Sequence, residues 1–433
     1  MKPILLVAGT RPELIKLAPI IKSLRKQEIK YVFVWSGQHY DFELSDLFFD
    51  ELRIAEPDER LNVGSGTHAV QTAKIMVGLE AIIRKRLPES VVAEGDTNTV
   101  LASSLTAVKC HVPFAHVEAG LRSWDPVMPE EINRKVADSI ASIDFAPTRL
   151  SAINLLFEGA SKRSVYVTGN TIVDAIYSCK NLLTKREKDL LSKFEVDANE
   201  YVLVTVHRAE NTDNTYRLLS IVRALKRLAK NYKVVFPMHP RTKSELQQVG
   251  LLRHLRGVKI MKPLGYLNFL SLLKNCRTVL TDSGGVQEEA FTLRVPAVTL
   301  RYSTERPETT MYGMNKLSGT ETRVIVKTAT EQANYAARAR RLEFKNPFGE
   351  GHAGEKITRI LCEKRIKIVS PDFRKTPVIA YSLAKATKPL SRGTEILVGF
   401  NKIGDPRLPF DRDTIKLLIR CRRNKIHLGE IGP

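Results

Sequence analysis

The sequence predicts an α/β protein built on two doubly wound parallel sheets, followed by a basic C-terminal extension. Three observations carry that expectation. Short β-branched runs alternate with stretches of 12–18 residues that have helical apolar spacing, the pattern of strands joined by crossover helices. The runs are mostly apolar rather than alternating, as expected for strands covered on both faces. They fall into two groups of five, with the division near residues 172–200.

In chain order, the first group is Ile4–Ala8, Tyr31–Trp35, Val91–Glu94, Phe114–Val117 and Val165–Thr168. Ile4–Ala8 is too short for the apolar segment of a secretory leader and reads as a first strand. The second group is Val202–Val206, Val234–Pro237, Val258–Met261, Val279–Thr281 and Ala297–Leu300. The charged stretch Lys185–Leu191 suits the connection between them. These patterns divide the chain into an N-terminal domain over 1–172, a second domain over 173–364 and an extension over 365–433. Pro and Gly break the extension repeatedly. Only Asp413–Cys421 within it resembles a helix or strand.

Composition bounds the function. The chain has 433 residues, with 68 Lys+Arg against 47 Asp+Glu, a net charge of +21. Residues 365–433 hold 15 basic and 6 acidic side chains, net +9, and the remainder hold 53 and 41, net +12. Such a surplus invites a polyanion, membrane-surface or phosphate partner. No RNA- or DNA-binding motif accompanies it, so no nucleic acid is expected for the core. No window reaches the roughly 18–20 apolar residues of a membrane span. Cys110, Cys179, Cys276, Cys362 and Cys421 are odd in number and form no CxxC pair. That argues against a disulfide framework or a zinc site and fits a reducing cytosol.

In open parallel sheets, ligands bind on the loops beyond the carboxyl ends of the strands. Those loops are polar here. Gly9-Thr10-Arg11-Pro12 follows the first strand. Gly9 permits a tight turn and Pro12 suits a first helical turn, whose N–H groups would face an anion. Arg11 adds a bidentate donor, and Lys16 lies one turn on. The plainer reading is a strand–turn–helix with surface charges. Asp96 follows the third strand, either as an N-cap or as a catalytic carboxylate. Glu118 follows the fourth, between Val117 and Ala119, where desolvation would raise its pKa. Glu130 and Arg134 share one helix face and form, on the plainer reading, a solvated ion pair. Asp96, Glu118 and Glu130 converge on one sheet edge, as acid–base chemistry requires.

In the second half, His207 and His239 follow neighbouring strands. No metal-ligand spacing supports them, and anion contacts or proton donors fit better. Thr281-Asp282-Ser283-Gly284-Gly285 ends a strand, bares backbone N–H groups and opens a helix, which is a phosphate cradle by geometry. Glu289 lies one turn on, within reach of a ribose. Arg306 follows the last strand. The GxxxxGK[ST] loop is absent, so nucleotide hydrolysis of that type is not indicated.

Taken together, GTRPELIK, GQHYD, GDTNT, HVEAGLR, MPEEINR, TGNTIVDA, HRAEN, HPRT, TDSGGVQEEA, TERPE and NPFGEG resemble the non-hydrolysing UDP-N-acetylglucosamine 2-epimerase family. They stand in the family's order over roughly the first 360 residues and leave the extension uncovered. The resemblance implies two Rossmann-like domains of glycosyltransferase-B type with the site in the cleft, and a cytoplasmic homodimer. It implies interconversion of UDP-GlcNAc and UDP-ManNAc through elimination of UDP and re-addition to 2-acetamidoglucal. No metal or redox cofactor is implied, in keeping with the missing GxGxxG fingerprint. By motif, Asp96, Glu118, Glu130, His207 and Lys16 would be catalytic. Arg11, Arg134, His239, Ser283, Gly284, Gly285, Glu289 and Arg306 would bind the UDP-sugar. The alternatives are a 2-epimerase of a UDP-2,3-diacetamido uronic acid and a glycosyltransferase on the same fold.

Overall fold

The computed structural model describes residues 2–38, 49 and 54–363. His39–Asp41 of the GQHYD string and the extension 365–433, with its Asp413–Cys421 segment, lie outside the described residues. Two parallel sheets organise the rest. The first comprises β1 Ile4–Ala8, β2 Tyr31–Trp35, β3 Glu59–Arg60, β4 Ser90–Glu94, β5 Phe114–Val117, β6 Ile143–Ala146 and β7 Val165–Val167. Its strand order is β3-β2-β1-β4-β5-β6-β7. The second comprises β8 Tyr201–Thr205, β9 Lys233–Pro237, β10 Val258–Met261, β11 Thr278–Thr281, β12 Ala297–Thr299 and β13 Asn315–Leu317. Its order is β10-β9-β8-β11-β12-β13.

Both sheets therefore reverse direction at one point, between β1 and β4 and between β8 and β11. That reversal opens the crevice in which such sheets hold ligands. It explains why the loops after β1, β4, β5, β8, β11 and β12 carry the polar motifs.

The ten expected strands all form. Three more escaped the sequence reading. β3 is a two-residue edge strand of charged side chains, Glu59-Arg60. β6 reads IDFA, and its buried Asp144 breaks the apolar run. β13 is a three-residue edge, Asn315–Leu317, with two of its three residues exposed. Each lacks the apolar signal because it is short or carries a charge.

Burial of both sheet faces is visible along single strands. In β1, Leu6 and Ala8 join the core that spans both halves, while Leu5 and Val7 join the core on the opposite face. In β8, Leu203 faces the shared core, and Val202 and Val204 face the outer one. Removing each such side chain from water contributes roughly 1.5–3 kcal/mol.

One helix, Thr171–Lys193, joins the two sheets and takes in the charged connection. The Asn170 side chain caps it by accepting from the Ile172 N–H at 3.0 Å. It packs on helix Arg11–Lys26 in the first half and on helices Tyr266–Asn275 and Gly284–Thr292 in the second. The chain returns once. Helix Thr322–Ala339 lies on β11 and β12, whereas the next helix, Ala353–Glu363, packs on Arg11–Lys26. The two crossings are fastened together. The Asn170 N–H donates to the Phe348 carbonyl at 2.7 Å. Asp174 accepts from the N–H groups of Ala353 and Gly354 at 3.1 and 2.9 Å. Among the described residues no helix is long and apolar enough to cross a membrane.

Candidate active site

The first loop differs from the open anion site that its sequence suggests. Thr10 and Glu13 form a capping box at the start of helix Arg11–Lys26. Glu13 Oε2 accepts from the Gly9 and Thr10 N–H groups at 2.7 and 2.8 Å, so two of the expected anion donors are already used. Its other oxygen takes the Thr97 hydroxyl, tying this loop to the one that carries Asp96. Burial, against those hydrogen bonds, pushes Glu13 up to about 7. The absence of a side chain at Gly9 is required, because a Cβ there would stand 2.2 Å from the hydroxyls of Ser36 and Thr99.

Asp96 is not the N-cap of the following helix. Thr97 is, accepting from the Thr99 N–H at 3.1 Å. Asp96 instead pairs with Arg134, and the Asn133 amide holds its backbone carbonyl at 2.9 Å. Glu130 and Arg134 do not pair with one another through their shared helix face. Arg134 turns to Asp96 and to Glu131 at 2.6 Å, and Glu130 reaches Arg208 in the second half at 2.6 Å.

Lys16, Glu118 and Arg306 come together in a buried cluster. Lys16 Nζ pairs with Glu118 and lies 3.0 Å from Glu94 Oε1. Arg306 donates to Glu118 Oε1 at 2.7 Å, stands 3.2 Å from Glu288 and 2.8 Å from Glu305. The Asn170 amide bridges Glu118 and Glu288 at 3.0 and 2.9 Å. Glu118 thus meets groups from both halves. Its backbone adopts φ +70°, a left-handed conformation that a non-glycine residue holds only where surroundings enforce it.

The expected rise in the pKa of Glu118 is reversed. Burial does push it upward, but Lys16 and Arg306 outweigh that push and hold it at about 2. The raised carboxyls are its neighbours. Burial lifts Glu94 well above its ordinary range, with Lys16 opposing and Glu118 adding to the lift. Burial likewise lifts Glu288 to about 7, with Arg306 opposing. Splitting of this kind leaves an ionised and a neutral carboxyl side by side.

The second half supplies a further set. Asp282 accepts from the backbone N–H groups of His207 and Arg208 and from the Asn211 amide, all at 3.1 Å, which fixes the loop after β8. The His207 and His239 rings lie 5.9 Å apart. Burial, opposed by Asp282, lowers the pKa of the half-buried His207, favouring the neutral imidazole. His239 caps helix Pro240–Gln248 through Nδ1. Ser283 stands at the start of helix Gly284–Thr292 without a side-chain cap bond. At Gly284 a Cβ would meet Glu305 Oε1 at 2.3 Å and Arg306 at 2.9 Å, while Gly285 faces open space. Glu289 is buried against Tyr266, and burial followed by Glu288 pushes it up to about 8. Arg11 is half-buried at the head of its helix.

Several contributors were missed in the sequence: Glu94, Asn170, Arg208, Glu288 and Glu305. All sit in or beside strings already quoted, but periodicity and spacing do not show which residue of a motif turns inward. Glu305 shows why it matters. Burial opposes its charge, yet Arg301 and Arg306, then Arg134 and Arg208, hold it well below its usual range.

A separate buried trio, His116, Asp138 and Asp144, has its potential ligand atoms within 4.8 Å of one another. Both His116 nitrogens are committed, to Asp138 at 2.5 Å and to the Gly95 carbonyl at 2.7 Å. His116, held by Asp138, therefore braces the loop that carries Asp96.

Two Rossmann-like sheets whose carboxyl edges share one buried set of charges place the protein among two-lobed α/β proteins of glycosyltransferase-B type. Comparison with known proteins narrows this. Residues 22–362 match the family model described as UDP-N-acetylglucosamine 2-epimerase. The UDP-N-acetylglucosamine 2-epimerase of Methanocaldococcus jannaschii is 45% identical over 363 residues, 82% of this chain and 98% of that protein. A UDP-2,3-diacetamido-2,3-dideoxy-D-glucuronate 2-epimerase of Pseudomonas aeruginosa is 37% identical, over 83% of this chain and 99% of that protein. A crystal structure of the Methanocaldococcus jannaschii enzyme with UDP-GlcNAc and UDP superposes with a TM-score of 0.79 at 44% identity, covering 84% of this chain and all of that one. The chain belongs to the UDP-N-acetylglucosamine 2-epimerase family.

Proposed function

We propose that the protein interconverts UDP-GlcNAc and UDP-ManNAc by inverting C2 of the sugar. The observation that carries this reading is the buried meeting of Lys16, Glu118 and Arg306, one cation from each half on a single carboxylate. C2 has no adjacent carbonyl, so its proton is not acidic enough for direct removal. Eliminating UDP solves the problem: the C1–O bond breaks, the C2 proton leaves, and 2-acetamidoglucal remains. Re-addition of UDP with protonation of C2 on the opposite face gives the epimer. The sequence is redox-neutral.

Such a path needs proton transfer on both sugar faces and a firm hold on the departing UDP, which gains a negative charge as the C1–O bond breaks. Asp96, Glu118 and Glu130 are the proton-transfer set. Lys16 and His207 steady the leaving diphosphate. Arg11, Arg306 and the Ser283-Gly284-Gly285 backbone bind its phosphates, His239 lies beside them, and Glu289 takes the ribose. Arg134 orients Asp96 and contacts the sugar. The protein works in the cytoplasm as a homodimer, which light scattering of the purified chain tests.

The test is proton NMR of UDP-GlcNAc with the protein in D2O. UDP-ManNAc carrying one solvent deuteron at C2 is expected. Product without deuterium, or no product, overturns the reading. The Pseudomonas aeruginosa relative motivates a second arm with the UDP-2,3-diacetamido uronic acid. Turnover of that sugar alone would transfer the same chemistry to a different substrate.

A further inference from the structure

The proposed mechanism leaves Glu94, in the Lys16 cluster, without a role. Glu94 ends β4, two residues before Asp96, and is 1% exposed. Its register partner on β5 is Val117, which sets it beside Glu118. Four carboxyls, Glu94, Glu118, Glu288 and Glu305, surround Lys16 and Arg306, and Arg301 is the further cation on Glu305. Because these groups are buried, the surplus negative charge is relieved when one carboxyl keeps a proton.

Geometry indicates which one. Glu118 takes Lys16, Arg306 and Asn170. Glu288 takes Arg306 and Asn170. Glu94 has the Lys16 ammonium at 3.0 Å, yet its Oε1 accepts no well-aligned hydrogen bond among the described residues. Glu94 Oε1 and Glu118 Oε2 both lie within 3.0 Å of the Lys16 Nζ, which brings the two carboxyls together. Two carboxyls share a hydrogen bond only if one is protonated, and Glu118 has the cations that keep it ionised. The charged and titratable groups facing Glu94 are Lys16 and Glu13 from helix Arg11–Lys26 and Glu118 from the loop after β5.

We infer that Glu94 is a positioning residue, a neutral carboxylic acid that donates its proton to Glu118 and fixes Lys16 against it. In that role it keeps Glu118 ionised in the resting site, ready to take a proton from the sugar, and holds the ammonium at one place. This inference rests on the reading given above for the same site, and its test separates the two.

Infrared difference spectra of wild type and Glu94→Gln at pH 7, without substrate, read the proton directly. A protonated-carboxyl C=O band that is lost in the variant and shifts in D2O is expected. Lack of that band overturns the inference, whatever the enzyme turns over. Kinetics supply the positioning readout. Glu94→Ala is expected to lower kcat about 100-fold with KM changed less than about threefold, and Glu94→Gln to recover at least about tenfold of the loss. Equal damage in both variants would show that a neutral amide cannot stand in, and would overturn the neutral-acid role. Should Glu94→Ala fail to fold, the infrared result with Glu94→Gln still decides. If wild type epimerises neither nucleotide sugar, the functional reading falls, and the band alone settles the state of Glu94.

Discussion

Arg306 donates to Glu118 at 2.7 Å although 188 positions separate them in the chain. The contact joins the loop after β12 to the loop after β5, one from each sheet. It also places a guanidinium among three buried carboxylates, since Glu288 and Glu305 lie at 3.2 and 2.8 Å from the same side chain.

Removing that guanidinium leaves buried charge without compensation. Arg306→Met is expected to destabilise the protein by about 3–5 kcal/mol, the range for breaking a buried ion pair from one side. Arg306→Lys should recover only part of the loss, because an ammonium cannot span three carboxylates. Urea denaturation midpoints of the two variants check this. Wild-type stability in Arg306→Met would show that the carboxylates relax or protonate without cost.

The two carboxylates assigned to proton transfer separate binding from chemistry. Asp96→Asn and Glu118→Gln should each lower turnover by roughly 10²–10⁴-fold, with UDP affinity by calorimetry changed less than about threefold. Normal turnover in both would remove them from the mechanism.

Adjacent glycines give opposite outcomes. Gly284→Ala forces a methyl against Glu305 and Arg306, at 2.3 and 2.9 Å, and should lower both stability and UDP affinity. Gly285 has open space around its Cβ position, so Gly285→Ala should fold as well as wild type or better, by up to about 1 kcal/mol. It should still weaken UDP binding, because the methyl stands where the phosphates approach. Thermal unfolding with and without UDP separates the two. Unchanged UDP affinity in Gly285→Ala would move the phosphates elsewhere.

Burial, then the charge of Glu288, pushes Glu289 from 4.5 up to about 8. A raised carboxyl contributes stability that is full below about 4.5 and lost as pH climbs through about 8. Relative to Glu289→Gln, wild type should therefore lose stability across that window, by at most about 1.4 kcal/mol per pH unit. Chemical denaturation of the pair at several pH values measures the slope. A flat difference would place the proton elsewhere.

The fold was legible because fully buried parallel strands have a distinct composition. Leu5 and Leu6 face opposite cores, so both must be apolar. The short edges Glu59–Arg60 and Asn315–Leu317 carry no apolar run, and composition is silent about them. Site residues were legible as motifs and less so as partners. Lys16 and Glu118 stand in strings a hundred residues apart, and nothing local says that they meet. The sign of the Glu118 shift failed for the same reason: its flanking Val117 and Ala119 are visible in sequence, whereas the cations that reverse the shift arrive by tertiary folding. Glu94 was passed over as the last residue of a strand.

The fastening of the two chain crossings at Asn170 and Phe348 has a mechanical consequence. Two lobes joined by one crossing could swivel, but two crossings riveted at one point leave a lever with a fixed fulcrum. Asn170 is part of that fulcrum and also holds Glu118 and Glu288. Any rotation of one lobe against the other is therefore constrained beside the acid cluster. The more exposed Glu130–Arg208 pair is a second tie between the lobes, set apart from that fulcrum by its access to solvent.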